Sequence, residues 1–119
     1  MSWRRRFIVS LCALATPVWA HSSLDHSEPK NGAVLKQAPQ EIRIWFTEPI
    51  KVGLSTIEAR DAAGRQVDKR DLRADDKQPA LVHLSLIGEV APGTYKVTWS
   101  AVAQDLHVSK GSFSFRVAP

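Results

Sequence analysis

Three side chains in this sequence, His21, Asp105 and His107, are of types and spacings suited to holding a metal ion. His21 follows Val18-Trp-Ala20, and small residues in that arrangement mark the point where an export leader is cut. Cleavage after Ala20 makes His21 the first residue, and a terminal histidine offers its α-amine and ring Nδ1 to one ion in a six-membered chelate ring. Such nitrogens suit copper(II), which prefers tetragonal nitrogen and oxygen surroundings and heads the divalent affinity series. The competing reading is that histidine follows the cleavage point by chance. Asp105-Leu106-His107 adds a carboxylate and an imidazole, and in extended chain residues i and i+2 project to the same side. An Asp-x-His in a polar loop is also common surface decoration; here it coexists with His21 in a mature chain without cysteine or methionine. Two amino-terminal nitrogens, one further imidazole and one carboxylate complete a four-coordinate copper(II) set.

The leader itself is legible. Arg4-Arg5-Arg6 precede an uncharged run from Phe7 to Ala20, the charged and apolar regions of a signal peptide. Residues 1–20 are therefore expected to be a signal peptide and 21–119 one exported domain. An arginine pair ahead of Phe7-Ile8 loosely resembles a twin-arginine signal; an ordinary arginine-rich leader fits equally, so the export route stays open between the two. The whole chain has 16 Lys+Arg against 12 Asp+Glu. Loss of Arg4, Arg5 and Arg6 leaves 13 against 12, so no basic patch of the kind nucleic acid requires is expected. Cys12 and Met1 leave as well, so disulfides play no part in stability. No uncharged run in 21–119 approaches the ~18 residues of a membrane span.

The elements that must position these ligands read as short strands. Polar and apolar residues alternate in Glu41–Phe46, Ala80–Ile87, Thr94–Trp99 and Ser112–Val117, which is the pattern of strands with one buried face. Weaker strands are expected at Ser55–Arg60 and around Gln66–Leu72. Asn31-Gly32, Ala63-Gly64, Pro92-Gly93 and Lys110-Gly111 read as turns. The charged stretch Asp68–Lys77 reads as a solvated loop or strand edge, and Trp45, Trp99 and Tyr95 fall in strand patterns that suggest core. Strands and turns at this spacing predict an all-β sandwich or barrel.

His21, Ser27-x-Pro29-x-x-Gly32, Phe46-Thr-Glu-Pro49, Pro92-Gly93-Thr-Tyr-x-Val97-x-Trp99 and Asp105-x-His107 followed by Gly111-Ser-Phe-Ser-Phe115 together resemble the CopC family of periplasmic copper-binding proteins. The resemblance runs from His21 to Val117. It implies a Greek-key β-sandwich or barrel of about seven strands, immunoglobulin-like or cupredoxin-like. It also implies that His21, Asp105 and His107 bind one copper(II) ion per mature chain, and that the protein is periplasmic and non-enzymatic, with no catalytic residues. Copper buffering, resistance or delivery to a CopD-type inner-membrane protein would be its work. Glu48 matches a carboxylate near the family's site and would orient a ligand through a hydrogen bond; the alternative for Glu48 is an exposed turn residue before Pro49.

Departures from the family pattern narrow the chemistry. Some members hold copper(I) in a methionine-rich loop, but the corresponding stretch here, around Val67–Pro79, has no methionine, and thioethers are what select copper(I). Ser23 stands third in the mature chain, where a histidine would let backbone amides wrap copper(II). Of the other histidines, His83 reads as structural, and His26, beside Asp25, as an alternative ligand that matches no family position. A small copper oxidase or monooxygenase using an amino-terminal histidine brace is the alternative function; the expected carboxylate in the copper plane stabilises copper(II) against the reduction such an enzyme needs. A blue-copper site is excluded by the missing cysteine thiolate. An exported sandwich that binds protein or carbohydrate and merely begins with histidine is the third reading.

Overall fold

The computed structural model describes residues 23–119, so the expected leader and His21 lie outside the described residues. Eight strands form among the described residues: β1 (Leu24–Glu28), β2 (Val34–Leu35), β3 (Glu41–Phe46), β4 (Thr56–Asp61), β5 (Arg73–Ala74), β6 (Leu81–Ser85), β7 (Gly93–Val102) and β8 (Val108–Val117). They make two four-stranded sheets, ordered β1-β3-β6-β5 and β2-β8-β7-β4. Pairing is antiparallel except for β2 alongside β8. Eight strands accord with the expected sandwich of about seven, and two of them, β2 and β5, are two-residue edge pieces.

The alternation in the sequence decides which face closes. Ile42, Ile44 and Phe46 of β3 and Val82 and Leu84 of β6 point inward from one sheet, and Val97, Phe113 and Phe115 meet them from the other. Each such side chain contributes roughly 1.5–3 kcal/mol by leaving water. Tyr95 is buried and stacked on Phe115, and its hydroxyl donates to the Ala91 carbonyl four residues back, tying the Pro92-Gly93 turn to β7 as a tyrosine corner does. Ser27 and Gly32 have similar work: Ser27 Oγ donates to the Pro29 carbonyl at 2.7 Å and Gly32 N to the Ser114 carbonyl at 2.7 Å.

Three expectations need correction. Lys110-Gly111 is not a turn but lies within β8, with Gly111 opposite Trp99. The indole covers that glycine, and a Cβ there would sit 2.3 Å from Trp99 Cζ2, so the glycine serves close packing rather than chain reversal. Gln66–Leu72 forms no strand; it makes only the isolated bridges Arg60↔Gln66 and Asp68↔Leu86. The buried Asp68 carboxylate takes over the ladder's role there, accepting from Ala59 N at 2.9 Å and Arg70 N at 2.8 Å. Trp45 lies on the outer face of β3, half-buried, with Nε1 donating to Gln78 Oε1 at 3.2 Å. Its neighbours Ile44 and Phe46 take the core side, because successive strand residues cannot share a face.

Candidate metal centre

Because β8 continues through Gly111, β7 and β8 form one long hairpin whose last paired rung is Val102↔Val108. Asp105 and His107 therefore sit at the tip of a rigid ribbon. Ala103 N donates to the His107 carbonyl and Leu106 N to the Ala103 carbonyl, both at 2.9 Å, leaving three residues to turn the chain. Such loops place their third residue in the left-handed region, and Leu106 has φ 70°. Extended chain is thus not what brings the pair together; the tight turn does. Asp105 Oδ1 accepts from His107 N at 3.1 Å, and Oδ2 lies 2.9 Å from His107 Nδ1. An aspartate that caps the amide two residues on is a local turn device, and here it also fixes the ring. Both side chains remain accessible, His107 63% and Asp105 40% exposed.

Two other segments meet this tip. The antiparallel bridge Ile50↔Ala103 and the 2.7 Å bond from Lys51 N to the Val102 carbonyl dock the segment after β3 against the hairpin. That segment contains Thr47 and the exposed Glu48. Thr47 in turn clamps the start of the described chain: Ser23 N donates to Thr47 Oγ1 at 3.0 Å and Thr47 N to the Ser23 carbonyl at 2.7 Å. Residue 23, Thr47-Glu48 and Ala103–His107 thus gather at one end of the sandwich. The Thr in Phe-Thr-Glu-Pro was legible as a motif residue, but its clamp on the amino-terminal segment was not, since nothing local in sequence pairs positions 24 residues apart. Beneath them Trp99 packs edge-on against Phe46, with ring centres 5.9 Å apart, and its buried Nε1 has no hydrogen-bond partner among the described residues.

The remaining histidines are engaged elsewhere. His83 is only 16% exposed, and its two nitrogens face carboxylates on both sides, Glu41 Oε1 at 3.2 Å from Nδ1 and Asp75 Oδ1 at 2.8 Å from Nε2. The His83 contact, followed by the Gln78 and Lys77 amides, holds the Asp75 carboxyl down at about 2. Arg73 closes the cluster, reaching Glu41 at 3.2 Å and Asp71 at 3.0 Å. His26 stacks on Trp45 with ring centres 4.3 Å apart, and its Nδ1 is 2.6 Å from Asp25 Oδ2. A bulge between Leu24 and His26 puts Asp25 beside it. Among the described residues no three His, Cys, Asp or Glu side chains converge as a metal site.

A family model described as the CopC domain matches residues 24–118. The chain belongs to the CopC family. Proteins of this family bind copper. Protein YobA of Escherichia coli K12 is 30% identical over 117 residues, covering 98% of this chain and 94% of YobA. Copper resistance protein C of Xanthomonas campestris pv. juglandis is 30% identical, covering 92% and 90% of the two chains. The copper transport protein CutJ of Bacillus subtilis is 26% identical across 97% of this chain, which corresponds to only 21% of CutJ. Among solved structures, CopC from Methylosinus trichosporium OB3b has a TM-score of 0.76 at 24% identity, covering 83% of this chain and 95% of that one, and shares the fold. PcoC of Escherichia coli, described as a methionine-rich copper resistance protein, has a TM-score of 0.72 at 26% identity, with 82% and 99% covered. This chain differs from PcoC in kind, since its one methionine is Met1.

Proposed function

We propose that the protein is exported to the periplasm, loses residues 1–20, and then captures one copper(II) ion with the His21 amine and imidazole together with Asp105 and His107. Glu48 orients a ligand, and the ion is buffered or delivered to a CopD-type inner-membrane protein. The work is binding and transfer rather than catalysis. The observation that carries the reading is the 2.9 Å separation of Asp105 Oδ2 and His107 Nδ1. Donors on a square around a metal with bonds of about 2.0–2.1 Å stand roughly 2.9 Å apart, so an ion can replace the proton these two atoms share.

The clamp on Ser23 supports His21 as the source of the other two donors. Two residues of chain span no more than ~7 Å, and Ser23 is fixed to Thr47 beside Glu48. Copper(II) rather than copper(I) follows from the donor types, nitrogen and oxygen without sulfur. CutJ supports delivery, since a segment like this chain is about a fifth of that copper transport protein. Titration of the processed protein with copper(II) tests the reading, beside a variant carrying one extra alanine before His21. One tight equivalent is expected for the former. A changed visible spectrum is expected for the latter, because the added residue replaces the six-membered amine–imidazole ring of His21 with a chelate that includes a backbone amide. Equal affinity and an unchanged visible spectrum would remove the amine from the ligand set.

A further inference from the structure

The outer face of the β4-β7-β8 sheet is polar along most of its length, with rungs such as Thr98↔Ser112 and Ser100↔Lys110. The last rung departs from this. It pairs Val102 with Val108, and the turn beyond it presents Leu106. Leu54 flanks Val102 on the side away from β8, because the one-turn 3-10 segment Val52–Leu54 is tied to β7 through Lys51 N to the Val102 carbonyl at 2.7 Å and Val102 N to Ser55 Oγ at 2.9 Å. Leu54, Leu106 and Val108 are 61%, 63% and 52% exposed, three of the five large apolar side chains that lie exposed among the described residues. Folding does not explain Leu106 in particular: its side chain is in solvent, and φ 70° is a conformation that disfavours every side chain of its size.

We infer that Leu54, Val102, Leu106 and Val108 form an apolar collar on which a copper transport protein docks when it takes the ion from Asp105 and His107. The inference rests on the copper-binding reading of that pair. Leu106 lies between the two ligands in the chain, so an acceptor whose own ligands reach the ion must cover it. The collar has the anatomy of a small interface, an apolar centre with Lys51 and Lys110 at its rim. The occupant is a transport protein rather than a second copy of this chain because CutJ joins a segment like this one to a copper transport polypeptide about five times as long.

The test uses processed, copper(II)-loaded protein, wild type and L54S/V108T, with membrane vesicles from the producing cells, protein-free liposomes of the same lipids, and EDTA as acceptors. Threonine keeps the β-branched shape that β8 favours. The double variant is expected to bind copper(II) and release it to EDTA as wild type does, while transferring it to vesicles about tenfold more slowly. L106N, which tolerates the left-handed conformation, is expected to slow vesicle transfer in the same way. Wild-type transfer by both variants would overturn the collar, as would copper uptake by liposomes equal to that by vesicles, which would make lipid the occupant. No uptake by vesicles from wild type would overturn it too. If the titration showed no tight copper(II) binding by wild type, the functional reading itself would fall, before any transfer is measured.

Discussion

Two aspartate–histidine pairs of nearly the same length stand in different places and do different work. Asp105 and His107 are 2.9 Å apart, come from one turn, and are 40% and 63% exposed. Asp75 and His83 are 2.8 Å apart, come from a loop and a central strand, and are 24% and 16% exposed. Glu41 occupies the other nitrogen of His83, which leaves that ring unable to ligate without breaking a contact between strands. On the proposed reading, the first pair exchanges its shared proton for an ion at the surface. The second fastens the edge segment around β5 to the sheet, and Arg73 balances its carboxylates. An Asp–His contact is therefore not a site by itself; exposure and the engagement of the second nitrogen decide.

Exchanging the histidines breaks the two roles apart. His107→Ala is expected to lower copper(II) affinity at least about a hundredfold and to change stability by less than about 0.5 kcal/mol, as exposed substitutions do. His83→Ala is expected to leave affinity within about twofold while costing roughly 1.5–3 kcal/mol, the range for hydrogen bonds to charged groups. Isothermal titration and urea unfolding measure both. A loss of copper binding in His83→Ala at unchanged stability would erase the distinction.

Asp105→Asn sharpens the first pair. The amide oxygen can still accept from His107, but the charge and the better metal donor are gone. Affinity is expected to fall about 10- to 100-fold, with a shift in the copper paramagnetic resonance parameters. The same fall with an unchanged spectrum would mean that Asp105 orients His107 without touching the ion.

The second pair has a pH signature. Asp75 titrates at about 2 instead of the ordinary 3.8, because His83 and then the Gln78 and Lys77 amides favour its charged form. A depressed carboxyl stabilises the fold above its unfolded value and stops doing so as pH falls through its folded value. Wild type should therefore exceed Asp75→Asn in stability at pH 6, and the gap should close between about pH 4 and about pH 2. Urea midpoints along that range check it, and a constant gap would remove Asp75 from the latch.

Much of this was legible in the sequence. Period-two alternation located β3, β6, β7 and β8, because one-sided burial imposes that period directly. Asp105-x-His107 was legible as two side chains that meet, but for the wrong geometric reason, since a turn with Leu106 in the left-handed region creates the contact. Gly111 misled because turn glycines and packing glycines look alike until the indole opposite is known. The His83 cluster was invisible in the same way. Its partners Glu41 and Asp75 are 42 and 8 residues away, and only strand pairing brings them together.

The smallest expected effect separates strain at the hairpin tip from cohesion at the sheet. A left-handed conformation costs a residue such as leucine about 1–2 kcal/mol, and Leu106 holds φ 70° with its side chain mostly in solvent. Glycine removes that cost but adds back roughly 0.5–1 kcal/mol of chain freedom in the unfolded state. Leu106→Gly should thus raise stability by up to about 1 kcal/mol in urea unfolding, whereas every substitution around His83 lowers it. If Leu106→Gly were instead destabilising, the leucine would be holding the turn through its contacts, and its exposure would no longer require a partner. A gain in stability together with slower copper transfer would mean that the tip carries its strained leucine for a surface that only the acceptor covers.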